Sequence, residues 1–440
     1  MQTRNSPRCP ALLLSEEALD TILHFLASAN RSRTHYEPPP IASLRSFALV
    51  TRRWTASAQR ALYNTPDPIL IFNGRRKAMI LLEALEGNPG LGNCVKNLDR
   101  LGNWCMILKN QAGGSSESVS EYGFRIISAC KSLRFLDLPI IVKDDKSRVL
   151  NAMKELKNLE LIRIARGVLE SMNDELPAYG EEGPAPNRWT IEDLALIATS
   201  LPSMRELQIC SSFFNAEEPP PPFIASTDPP LAVEASDDVE TNLDWSIRGL
   251  TIEDPGFPSP TQIRKLVGRG ERLQSLTLRQ IYNNIPVLEE VIPQLGASLT
   301  NLFIEFPLND QEERLTRTRN NQAVAQDVLR IVHASSCSTT LERLVIRNVS
   351  YCFVELELLA ASFQNLRQFY LIGHPAWDVT PPGKEMLLEN VSRLFENKDT
   401  FPSLQSGWFD VVDMVGNWDS IRQFRSSLRE KRNISILIND

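Results

Sequence analysis

"LQSLTL" (273–278) and "LTNLFI" (299–304) share one pattern, L-x-x-L-x-L with isoleucine allowed last, and their middle leucines are Leu276 and Leu302. A single such string fits a core helix as well as a core strand, so repetition has to decide. "LRFLDL" (133–138), "LKNLEL" (156–161) and "LERLVI" (341–346) repeat it. "MREL" running into "QI" (204–209), "IRGLTI" (247–252) and "LRQFYL" (366–371) are looser copies. The middle residues are Leu136, Leu159, Leu207, Leu250, Leu276, Leu302, Leu344 and Phe369. Four of the seven intervals fall near 25 residues; the other three are longer by an inserted loop. Between the copies lie segments with apolar spacing of three and four, which predicts helices over 121–131, 146–156, 190–201, 287–295, 324–334, 386–395 and 418–431.

Helix, turn and short strand, repeated at this period, is the signature of leucine-rich repeats. One strand and one helix cannot bury their shared apolar face alone. Stacked units can, and they curve, because strands stack about 4.8 Å apart while helices need about 10 Å. The expected fold class is α/β: a small N-terminal helical head, then an irregular solenoid with parallel strands on the concave face and helices on the convex face. "VKNLDRL" (95–101) reads as a first strand and "ISILI" (434–438) as the last. The family's usual Asn or Cys after each strand is replaced here by Ile141, Ile164, Ser212, Pro255, Ile281, Pro307, Val349 and His374, so its inner hydrogen-bond ladder is expected to be missing or rebuilt.

Pattern leucines point inward, so the residue between the last two points outward. In order these are Asp137, Glu160, Gln208, Thr251, Thr277, Phe303, Val345 and Tyr370. The row passes from acidic through neutral to large and apolar. An exposed apolar row needs a partner, and aromatic anchors suit interfaces. Phe303, Val345 and Tyr370 are therefore candidate target-binding residues, with Asp137 and Glu160 setting orientation. The alternative is that the segment from Trp408 onward folds back and covers them.

The head lies at about 13–64, after an N-terminus (1–12) expected to be disordered. "LSEEALDTILHFL" (14–26) has Leu19, Ile22, Leu23 and Leu26 at helical spacing, with Ser15 placed to cap the first turn. "ASANRSRTHYEPPP" (27–40) is a loop by composition. "IASLRSFALV" and "RRWTASAQRALY" follow as two more short helices.

These residues resemble an F-box, the motif that docks on the Skp adaptor of cullin-RING ubiquitin ligases. Its pattern runs L-P-x-E-L-L-x-x-I-L-x-x-L, then a loop, then L with V-x-x-x-W further on. Leu14, Glu17, Leu19, Ile22, Leu23 and Leu26 fit the first part; Leu44, Phe47, Val50 and Trp54 fit the second. "ALVTRRWTASAQRALY" resembles the fungal form, and "NPGLGNCVKNLDRLG" resembles the bridge from head to repeats in such proteins. Ser15 stands at the usual proline, and Ala18 replaces a larger aliphatic residue. The resemblance implies a substrate-recognition adaptor that is not itself an enzyme. Leu14, Ser15, Leu19, Ile22, Leu23, Leu26, Leu44, Phe47, Val50 and Trp54 would meet Skp, which links to cullin. The repeats at 65–440 would hold an unknown protein target. The other reading is a leucine-rich-repeat scaffold unconnected with ubiquitin ligation.

Composition narrows the classes. The chain has 440 residues and a net charge of −7, which argues against nucleic acid as the main partner, since phosphate binding needs a basic face. No uninterrupted apolar run exceeds five residues, against about 20 for a membrane span. The opening run "ALLL" is too short for the core of a signal peptide, so a cytoplasmic or nuclear location is expected. Seven scattered cysteines without a C-x-x-C pair read as free buried thiols. Between Arg205 and Arg248 there is no Lys or Arg but nine acids, together with "EEPPPPF" and "TDPPL", so 213–243 is expected to be a disordered acidic insertion. His333 and Cys337 lie four apart but lack a second ligand pair for zinc. "RKLVGRGER" (264–272) lacks the G-K-[ST] ending of a phosphate loop. No catalytic motif, cofactor or metal site is expected.

Overall fold

A computed structural model describes residues 15–28, 52–64, 78–99, 101–111, 119–139, 146–165, 189, 191–210, 247–253, 272–279, 288–289, 291–306, 328–351, 363–375, 395–397, 399–409 and 418–438. The N-terminal 1–12, residues 29–40 of the expected loop, the helix expected over 41–50, the acidic insertion 213–243 and the basic stretch before Arg272 lie outside them; Ala27 and Ser28, expected to open that loop, are helical instead. The chain forms two compact units, residues 1–189 with 200–204 and residues 190–199 with 205–440.

The first unit contains α1 (Glu16–Ser28), α2 (Arg52–Tyr63), α3 (Ala78–Gly87), α4 (Pro89–Gly92), β1 (Asn97–Leu98), α5 (Leu101–Gln111), α6 (Val119–Ala129), β2 (Phe135–Pro139), α7 (Lys146–Lys154) and β3 (Leu161–Ala165). Its strands pair in parallel in chain order. The second unit carries most of α8 (Ile191–Ser200), then β4 (Glu206–Cys210), β5 (Gly249–Glu253), β6 (Ser275–Arg279), β7 (Asn301–Glu305), β8 (Arg343–Tyr351), β9 (Gln368–Pro375), β10 (Ser406–Phe409), α9 (Trp418–Arg432) and β11 (Ser435–Ile438). These eight strands also pair in parallel, each with its successor. Parallel neighbours, with helical segments described between β1 and β2, β2 and β3, β6 and β7, β7 and β8, and β10 and β11, make each unit an open α/β array of the solenoid kind.

The strands form for the reason the pattern suggested. In β5, β6 and β7 buried and half-buried residues alternate, with Leu250, Ile252, Leu276, Leu278, Leu302 and Ile304 all buried. The predicted helix over 287–295 is shorter than expected. A 3₁₀ turn, Ile292–Ser298, takes over where Pro293 removes a backbone donor.

The repeat also has a backbone signature. At the entry of β2, β3 and β5–β10 two consecutive N–H groups donate to one carbonyl that precedes the neighbouring strand. In the second unit, Gln274 and Ser275 bond Arg248 O, Thr300 and Asn301 bond Gln274 O, and Arg367 and Gln368 bond Glu342 O. At the start of the first unit, Lys96 and Asn97 donate to Asn64 O, the carbonyl just after α2. The head thus occupies the position of a preceding repeat for β1. Side-chain rungs reinforce the same entry turns: Ser298 Oγ donates to Leu273 O (3.0 Å) and Thr340 Oγ1 to Leu299 O (3.0 Å). Among the described residues, these rungs stand before the strands rather than after them, where the family places its ladder.

Two readings of the pattern change. The string "LKNLELIRI" (156–164) holds two overlapping copies, and the pairing selects the later one: Leu136 is opposite Ile162, not Leu159, and Asp137 is opposite Arg163, not Glu160. Leu159 then matches Leu133, and both are fully buried. "LQSGWF" (404–409) is a further repeat. Its middle position is Gly407, so the apolar pattern is broken there, and its register partner Phe369 supplies the ring that meets Phe401 at 5.3 Å. "VKNLDRL" and "ISILI" do supply the first strand of the first unit and the last strand of the second.

Candidate interaction surfaces

The head surface begins at Ser15, whose Oγ accepts the Ala18 N–H at 3.1 Å. It caps α1, satisfying a donor that a helix start leaves free. Two acids of α1 are tied to α2: Arg60 donates to Glu16 (2.6 Å) and Asp20 (3.0 Å), and these bonds hold its pKa above the usual arginine value. Between the two helices Leu19, Leu23, Trp54 and Ala58 are buried. Ile22, next to Leu23 on the chain, is 44% exposed. Of the other candidate Skp-binding residues, Leu26 falls within α1. Leu14, Leu44, Phe47 and Val50 lie outside the described residues. A groove of about 890 Å³ runs beside the head, lined among others by Thr21, Arg60, Asn64, Cys94 and Lys96.

In the first unit the outward row is Asp137 and Arg163. Asp137 is 3% exposed and is held by Arg163 at 2.6 Å; Arg163 also reaches Asp99 at 2.5 Å and lies over the Phe135 ring. Asp137 is therefore engaged internally, not offered to a partner. Glu160 is exposed but sits off the row, 3.9 Å from Arg134.

In the second unit the row is continuous: Phe303 is opposite Val345, Val345 opposite Tyr370, and Tyr370 opposite Trp408. The described part of the segment from Trp408 onward does not fold back over it. Trp408 is the next member of the row, and β10, α9 and β11 extend the array. Phe303, Tyr370 and Trp408 are half-exposed, while Val345 is 3% exposed, a floor between larger neighbours. Tyr370 and Trp408 meet edge-on at 6.3 Å. Arginines frame the rings: Arg279 and Arg347 lie 5.4 and 5.7 Å from the Phe303 centroid, and Arg343 lies 5.6 Å from that of Tyr370. Such contacts are favourable because the ring face is negative. The next row alternates in sign, Glu253, Arg279, Glu305 and Arg347, with neighbouring charges 3.6–3.8 Å apart. Arg343 is exposed and has no ion pair among the described residues. Trp408 is not evident from the L-x-x-L-x-L pattern because Gly407 stands at the middle position of its repeat.

Cys337 is buried and contacts Ser335 Oγ at 2.7 Å, and burial pushes its thiol pKa up; His333 is exposed. Among the described residues no three His, Cys, Asp or Glu side chains converge, and no helix is long and apolar enough to cross a membrane.

No family model matches the chain, and no curated protein matches it in sequence. Among solved structures it is similar to the crystal structure of the Rad7 and Elc1 complex in yeast, at 11% identity and a TM-score of 0.38, over 96% of this chain and 81% of that one. A likeness this slight bears on neither the partners nor the activity of this chain.

Proposed function

We propose that this chain is a substrate-recognition adaptor of a Skp-cullin-F-box ubiquitin ligase, without catalytic chemistry of its own. Its N-terminal helices dock on a Skp-type protein, and through it cullin, while its repeats hold a protein target in the cytoplasm or nucleus. The observation that carries the reading is Ile22. The F-box resemblance pairs it with Leu23, but only Leu23 enters the core between α1 and α2. An aliphatic side chain left 44% exposed at a docking position is what a partner's apolar surface would cover.

Ile22→Glu tests this, because it leaves the head's core intact. Covering the exposed part of Ile22 contributes about 1 kcal/mol, and an unpaired carboxylate buried there costs several times that, so Skp co-purification should fall roughly tenfold or more with the melting temperature unchanged. Undiminished capture would end the reading. Leu23→Glu is unsuitable as a docking probe, since it would disrupt α1–α2 packing. The burial of Leu19, Leu23 and Trp54 favours a second reading, a repeat scaffold whose head packs only on itself. Affinity purification with no Skp or cullin recovered would select that one.

A further inference from the structure

We propose that the aromatic row of the second unit binds an acidic, proline-rich segment of a partner protein in extended polyproline II form. The proposal rests on the adaptor reading for the partner's role as target, but not for the surface itself. Strands lie about 4.8 Å apart, so residues two strands apart on one row are separated by about 9.6 Å. A polyproline II helix rises 3.1 Å per residue with three residues per turn, about 9.3 Å, so its repeat matches two strands. Val345 on β8 and Trp408 on β10 are two strands apart in register. One proline would sit over Val345, in the notch between Phe303 and Tyr370. The proline three residues on would lie against the Trp408 ring. Prefolded proline segments suit such ridged aromatic surfaces because little ordering entropy is lost on docking.

Charge selects the flanking residues. Arg279 and Arg347 are balanced by Glu253 and Glu305, which leaves Arg343, beside Tyr370, as the uncompensated cation among the described residues of β5–β10. A carboxylate next to the first proline would pair with it, whereas a basic proline-rich segment would be repelled. One unpaired guanidinium is too few for a phosphate cluster or a nucleic-acid backbone, both of which need several cations.

Fluorescence anisotropy on the full chain tests this with a labelled peptide Asp-Glu-Pro-Pro-Leu-Pro-Glu, a control with lysine at each acidic position, and a uridine oligonucleotide. The acidic peptide should bind and the other two should not. Arg343→Glu should raise its Kd at least tenfold and admit the lysine peptide; Tyr370→Ala should also weaken binding at least tenfold. Ile22→Glu should leave peptide binding unchanged, so failure of Skp docking and failure of this surface are read separately. The proposal is overturned if the peptides bind equally, if Arg343→Glu has no effect, or if the oligonucleotide binds instead. Binding seen only after deletion of residues 216–242 would assign the surface to the chain's own acidic segment and also overturn it.

Discussion

Arg432, at the end of α9, holds the last repeats together, and its replacement by methionine should loosen them selectively. Its Nη1 donates to Phe395 O (2.7 Å), Asn397 O (2.8 Å) and Thr400 O (3.0 Å), and its Nη2 to Phe401 O (2.7 Å). Phe401 is buried at φ 47°, a backbone region a bulky residue adopts only when its surroundings impose it. Its ring meets Phe363, Phe369 and Phe395, so the guanidinium and the aromatic cluster fix the same turn from two sides. The far end of the device is also set: Asn433, at φ 55°, closes α9 with the Ile434 N–H directed at Leu428 O. Asn397 is exposed and its carbonyl can turn to water, but Phe395, Thr400 and Phe401 are buried. Three bonds to a charged donor at about 1.5–3 kcal/mol each, discounted for non-additivity, amount to about 3–5 kcal/mol. Repeat arrays couple mainly between neighbours, so the loss should stay local. Hydrogen exchange read by mass spectrometry should show peptides within 395–438 losing protection about 10²- to 10⁴-fold, with β4–β7 unchanged. Unchanged exchange in that region, or an equal loss across the whole second unit, would refute the reasoning.

Three other substitutions have defined outcomes. A Cβ on Gly92 would lie 2.1 Å from the Ala129 carbonyl oxygen, a backbone atom, so Gly92→Ala should cost about 3 kcal/mol or more; on Gly249 it would meet only the flexible Glu206 side chain at 3.1 Å, so Gly249→Ala should be nearly neutral in urea titrations. Burial pushes the Cys130 thiol up to about 12 and raises Cys105 as well. Each folded value lies above the unfolded one near 8.5, so this stability is complete below about pH 8.5 and is lost as pH rises toward the folded values. Each thiol should then steepen the decline by about 1.4 kcal/mol per pH unit, and Cys130→Ala should remove one such increment; an unchanged slope in the variant would count against it.

Much of the architecture was legible because its cause is periodic. Repeated burial of one face imposes the L-x-x-L-x-L spacing, and that spacing located β2 and β4–β9. Helical periodicity likewise located α2 and α9 to within a residue. Where two registers fit one string, as at 156–164, only pairing with β2 decided, because Leu159, Leu161, Ile162 and Ile164 are all apolar and a three-residue shift preserves the pattern. Where a small residue fills the pattern position, as Gly407 does, the signal vanished because a neighbouring strand's ring provides the bulk.

The candidate surfaces depended still more on the third dimension. An outward-facing position is a property of the strand alone and could be read from the sequence. Availability is a property of neighbours distant in the chain: Arg163 engages Asp137, while the larger side chains of Phe303 and Tyr370 on either side of Val345 leave it a floor. Ile22 and Leu23 are adjacent and chemically alike, and only the approach of α2 made one of them core and the other surface. Local pattern therefore determined the repeat and the face each residue occupies, whereas packing across repeats decided which of those residues remain free to meet a partner.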